Sequence, residues 1–195
     1  KESIRYGAEI FHSLKSELKQ KGLNTNVGDE GGFAPNINSS NEVIEIIIKA
    51  VISTGLKMNE DIMISLDVAA TEFYFDNKYN LNGENQILNS DQMIEYLKKL
   101  SLDYPIYSIE DGMSENDWVG WRNLTSKLND KIQLVGDDIF VTNKNIFQKG
   151  IDKKVANAIL IKFNQIGTVS ETLDTINLAR DNGYNYIISH RSGET

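Results

Sequence analysis

The sequence predicts an α/β fold built on a parallel sheet, and three observations carry that expectation. Short, almost wholly apolar runs alternate with longer stretches of helical periodicity, the pattern of parallel strands buried on both faces and joined by helices. Five successive apolar runs each end on a charged residue or charged cluster. The composition, 40% hydrophobic and 25% charged over 195 residues, suits one domain able to bury a sizeable core.

The first stretch spaces Ile10, Phe11, Leu14 and Leu18 along one face of an amphipathic helix. Ser39 with Glu42 forms a capping box ahead of Val43, Ile44, Ile47, Ile48 and Val51. Ile62 to Leu66 is the first strand and ends on Asp67. From Phe73 to Asn89 the chain is rich in Asn and Gly, a composition that predicts flexibility. Ser90 then opens a helix carrying Met93, Ile94, Leu97 and Leu100. A strand follows Pro105, Ile106 to Ile109, and ends on Glu110. Ser114 with Asp117 opens a helix bearing Trp118, Trp121, Leu124 and Leu128. The strand Ile132 to Gly136 ends on Asp137, and Ala158 to Ile161 ends on Lys162. Thr168 with Glu171 caps a helix that stops near Asn182-Gly183, and Tyr186 to Ser189 ends on His190 and Arg191.

Several functions are disfavoured by composition. A net charge of −8 with no basic stripe argues against nucleic-acid binding. Zero cysteines remove thiolate nucleophiles and Cys-based zinc sites, and fit a reducing, cytoplasmic location. No apolar run approaches the roughly 20 residues of a membrane span, and the opening Lys1-Glu2-Ser3 lacks a signal-peptide core.

Pattern alone leaves an open doubly wound sheet and a (β/α) barrel both possible, although the phosphate cradles typical of open sheets are missing. A barrel would gather its strand ends at one mouth, bringing Asp67, Glu110, Asp137, Lys162, His190 and Arg191 around one cavity. Three carboxylates from consecutive strands suit a hard cation such as Mg²⁺. A strand-end lysine beside a cation can act as a general base. Asn26-Val27-Gly28-Asp29-Glu30-Gly31-Gly32 reads either as an acidic turn or as a mobile loop carrying an acid to a reacting group. Arg191 and Ser192 together suit a phosphate. A closed barrel typically takes about 250 residues, so the chain is expected to be a piece of a longer protein.

Gly28-Asp29-Glu30-Gly31-Gly32, Ser65-Leu66-Asp67, Ser108-Ile109-Glu110-Asp111, Gly136-Asp137-Asp138, Leu160 to Gly167 and Ser189 to Thr195 all resemble enolase, in order along almost the whole chain. The resemblance implies part of a single TIM-like barrel over residues 1–195, of bacterial type, without the small N-terminal domain and the last strands. It implies Mg²⁺-dependent interconversion of 2-phosphoglycerate and phosphoenolpyruvate, with Asp67, Glu110 and Asp137 as metal ligands. Lys162 would be the base, Glu30 the acid, and His190, Arg191 and Ser192 substrate contacts along with Lys162. Asp29, Asp111 and Asp138 are expected to be structural or to support the ligands. The stretch Phe73 to Asn89 matches a mobile flap in the family. A homo-oligomeric cytoplasmic enzyme is implied, with occasional cell-surface occurrence, and this piece alone is expected to be inactive. Another metal-dependent racemase or lyase of the superfamily, or a non-catalytic binding role, are the alternatives.

Overall fold

The structure, a computed structural model, describes residues 1–191. The chain forms two compact units, one of Lys1–Met63 with Asn82–Gln86, the other of Ile64–Leu81 with the described residues from Ile87 onward.

The first unit pairs two helices, α1 (Glu2–Gln20) and α2 (Ser40–Ser53). Ser39 caps α2 as its spacing predicts, its hydroxyl accepting the Glu42 N–H at 3.3 Å. Leu18, Ile44, Ile46, Ala50 and Val51 are buried, whereas Val43, expected on the apolar face, is exposed. Ser13 Oγ donates to the Ala50 carbonyl at 2.9 Å, and the Phe11 and Phe33 rings stack with centroids 4.4 Å apart. Between the helices Val27 bridges Phe33, and the Gly28 N–H donates to Gly32 O at 2.9 Å. Gly31 takes φ +79°, a conformation open to glycine without steric cost. The acidic segment is therefore a closed tight turn with Glu30 exposed upon it.

Along the chain, β1 (Ile64–Asp67) is followed by β2 (Tyr74–Phe75), β3 (Lys78–Leu81) and β4 (Gln86–Leu88). Helix α3 (Ser90–Asp103), β5 (Ile106–Glu110), α4 (Trp118–Leu128), β6 (Gln133–Gly136) and α5 (Lys144–Asp152) come next. The described chain finishes with β7 (Ala158–Ile161), a short α6 (Phe163–Ile166), α7 (Val169–Asp181) and β8 (Asn185–Ile188). Strands β1, β5, β6, β7 and β8 make one parallel sheet in that order. A doubly wound sheet reverses its strand order at a switch point; this one never does. The sequential order is that of a barrel wall, and the sheet is five strands of a partial TIM barrel.

Every residue of β7 is buried. Val135, Ala158 and Leu160 form one core cluster, with Ile187 packed against it. Trp121, Leu124, Leu134, Phe140, Phe147 and Ile159 are wholly buried as well. The start of β6 is pinned by Asn157, whose Oδ1 accepts the Leu134 N–H at 2.7 Å while its Nδ2 donates to Ile132 O at 3.0 Å and Asn129 O at 3.2 Å.

Two local expectations are corrected. The segment Phe73 to Asn89, read as flexible, contains a three-stranded sheet in the order β2–β3–β4. Its first turn, Asp76-Asn77, has φ +50° and +58°, the paired positive values of a type I′ hairpin. Helix α3 opens at Ser90 as expected, and Asn89 caps it in a complete capping box with Gln92. Helix α4 is capped by Asp117 rather than Ser114, because the Asp117 carboxylate reaches the Gly120 N–H at 2.8 Å. The same carboxylate accepts Tyr79 Oη at 2.9 Å and Ser90 Oγ at 2.5 Å.

Candidate metal and proton-transfer site

Parallel pairing sets the site. Asp67 on β1 is the register partner of Glu110 on β5, and Glu110 is the partner of Val135, two residues before Asp137. On the next strand the pairing of Gly136 with Ile159 brings Asp137 toward Lys162, which follows β7. Lys162 Nζ forms an ion pair and hydrogen bond with Asp137 Oδ2. Asp137 is buried, and its other oxygen, Oδ1, has no hydrogen-bond partner. An orphaned buried carboxylate oxygen is costly unless a cation or donor meets it.

The electrostatics join these residues. Burial lifts the Glu110 carboxyl to about 8, and the charges of Asp67, Asp137 and Asp111 add to the effect while Lys162 opposes it. Asp67 is raised as well, first by lost hydration, with the Ala69 N–H at 3.1 Å on its Oδ1 counteracting. Asp111 is pushed up to about 7 by burial despite two backbone N–H groups on its oxygens. Burial and the neighbouring Asp137 raise Asp138.

The carboxylates in closest array differ from the expected ligand set. Among the described residues, the oxygens of Asp111, Asp137 and Asp138 lie within 4.8 Å of one another; Asp67 and Glu110 fall outside that group. The backbone N–H groups of Asp137 and Asp138 hold the Asp111 carboxylate in that group. An all-oxygen donor set with a buried, unpartnered Asp137 Oδ1 fits a hard divalent cation.

The remaining residues are placed as follows. Ser189 N–H donates to Ile161 O at 3.0 Å, extending the β7–β8 pairing beyond the strands and putting the end of β8 beside that of β7. His190 is exposed and Arg191 half-buried. Ser192 lies outside the described residues. Glu30 belongs to the first unit, where its turn is described above.

A family model described as the enolase C-terminal TIM barrel domain matches residues 1–195. The chain belongs to that family. The enolase superfamily is metal-dependent, its members are generally lyases or racemases, and the aspartate triad of this chain could hold a metal ion. Among the described residues no helix is long and apolar enough to cross a membrane.

The structure of this enolase-family chain also exposes a residue without a sequence signal. Thr142 is completely buried at φ +57°, next to Val141 at φ +44°. Its Oγ1 accepts the Lys162 N–H at 2.8 Å, and its carbonyl accepts Thr175 Oγ1 at 2.9 Å. Positive φ is a strained choice for β-branched residues, and here it turns a hydroxyl onto the backbone of the strand-end lysine. Only the position of this turn after Asp137 hints at such a role.

Proposed function

We propose that residues 1–195 act as part of a single catalytic barrel domain in an enolase of bacterial type. The enzyme would reversibly dehydrate 2-phosphoglycerate to phosphoenolpyruvate with Mg²⁺. The observation that carries the reading is the ion pair of half-buried Lys162 with buried Asp137 at adjacent strand ends, coupled in charge to Asp67 and Glu110.

Asp67, Glu110 and Asp137 would hold the cation. Bound Mg²⁺ supplies positive charge that stabilises the second negative charge gained by the substrate carboxylate when its neighbouring carbon loses a proton. Lys162 removes that C2 proton, and its ion pair with Asp137 fixes where Nζ stands. Glu30, in its protonated form, donates to the departing 3-hydroxyl. Arg191 and Ser192 bind the phosphate, and His190 forms part of the wall. The proposal includes a homo-oligomeric enzyme acting on a phosphorylated carboxylate, without a nucleic-acid partner. Zero cysteines support a cytoplasmic setting.

The test separates the two proton transfers in the whole enzyme. Lys162→Ala should abolish exchange of the C2 proton of 2-phosphoglycerate with solvent. Glu30→Gln should keep much of that exchange and lose dehydration. Each loss is expected at about two to four decades, and a reversal of the two phenotypes would overturn the assignment.

A further inference from the structure

We propose that Asp111 is a positioning residue: it sets the spacing of the strand ends that carry Asp67, Glu110 and Asp137, and it is not itself a ligand of the cation. This rests on the functional reading above and deepens it. The inference comes from how completely the polar groups of Asp111 are committed. Its N–H donates to Val135 O at 3.0 Å, and its carbonyl accepts the Ala70 N–H at 3.1 Å. Its Oδ1 accepts the Asp137 N–H at 3.0 Å, and its Oδ2 accepts the Asp138 N–H at 2.8 Å. Ala70 lies on the chain leaving β1, and Asp137 and Asp138 on the chain leaving β6. One residue at the exit of β5 thus ties both neighbouring exits to its own. The adjacent Val68 N–H to Glu110 O bond, at 2.9 Å, reinforces the first tie.

Two further facts make the tie stiff. Asp111 is only 4% exposed, so water cannot readily replace a lost partner. Its φ of +42° is followed by Gly112, where an added Cβ would meet Ile109 at 2.9 Å, Leu97 at 3.1 Å and Leu124 at 3.2 Å. The turn therefore packs directly onto the core. The chemistry also argues against ligation. Each oxygen already faces a backbone N–H, and a cation placed among Asp111, Asp137 and Asp138 would compete with those donors. A carboxylate offers two acceptors to two donors; an asparagine would turn its NH₂ against one of them.

The probe is Mn²⁺ binding to this chain, read by electron paramagnetic resonance and water-proton relaxation for affinity and bound-water number, with amide exchange alongside. Asp111→Asn should weaken Mn²⁺ at least about tenfold, the range seen when a residue supporting a ligand is lost, with the number of metal-bound waters unchanged. Amide protection should fall at Asp137 and Asp138, whose N–H groups the side chain holds. The control Asp137→Asn should gain a bound water. A gained water in Asp111→Asn, or an unchanged affinity, overturns the proposal. If that variant does not fold, the unaltered chain with ¹³C-labelled aspartate carboxyls decides. Mg²⁺ should shift the Asp137 carboxyl and leave that of Asp111 in place, and an equal shift at both overturns the proposal. An unaltered chain that binds no Mn²⁺ overturns the functional reading, whereas retained amide protection in Asp111→Asn overturns the clamp alone.

Discussion

Glu110 joins the acidity of the site to the stability of the fold. Its carboxyl sits at about 8 through burial and the charges of Asp67, Asp137 and Asp111, against an ordinary unfolded value of about 4.3. The folded state therefore binds this proton more tightly than the unfolded state. Its contribution to stability is fully present below the unfolded value and is lost as pH rises through about 8. Thermal melting in chelator should accordingly lose stability between pH 5 and pH 8.5, and Glu110→Gln should flatten that slope. If Glu110 holds the cation as proposed, a divalent cation displaces the same proton, and cation affinity should fall as pH drops through the Glu110 value of about 8. A Glu110→Gln profile that matches the parent would contradict both statements. The strand-end acids were legible because each closes an apolar run. The commitments of Asp111 and Thr142 were not, since they depend on backbone groups far along the chain, Asp137 N–H for one and Lys162 N–H for the other.

Elements with one clear period were found close to their observed bounds. The strand Ala158 to Ile161 coincides with β7, and the other four strands are displaced at their ends by a residue or two. Helix α5 escaped notice because it is short and its start depends on Asn143, whose side chain accepts from the N–H groups of Asn145 and Ile146. The β2–β4 sheet was hidden by its Asn and Gly content. What holds it is Tyr79, wholly buried, whose hydroxyl donates to Asp117 and accepts the Ser114 N–H at 3.1 Å. Tyr79→Phe should cost about 1–3 kcal/mol in urea unfolding, since it leaves that buried N–H unmet. Asp117→Ala should cost about 2–4 kcal/mol, because it removes the α4 cap and strips Tyr79 and Ser90 of their acceptor. Equal stability of either variant with the parent would refute the anchor. At the end of β6, a Cβ on Gly136 would come within 2.4 Å of the Phe140 ring, which is also 2.4 Å from a Cβ on Gly150. Gly136→Ala should therefore destabilise by about 1–3 kcal/mol of overpacking, measurable in the same unfolding experiment. A neutral result would mean that Phe140 can move freely, contrary to its complete burial.

Among the described residues, the parallel sheet follows sequence order, β1-β5-β6-β7-β8. On β8 Tyr186 and Ile188 are exposed, and on α7 so are Val169 and Leu173. The side chains at the two ends of β6 have a consequence of their own. Asn157 grips its first residues and Asp111 the turn beyond its last. Sliding a strand by one position sends every side chain to the opposite face, which for β6 would carry Asp137 away from Lys162. Such a slide would have to break both grips together, so β6 behaves as a ruler fastened at each end, and registers that would scramble the charges are penalised.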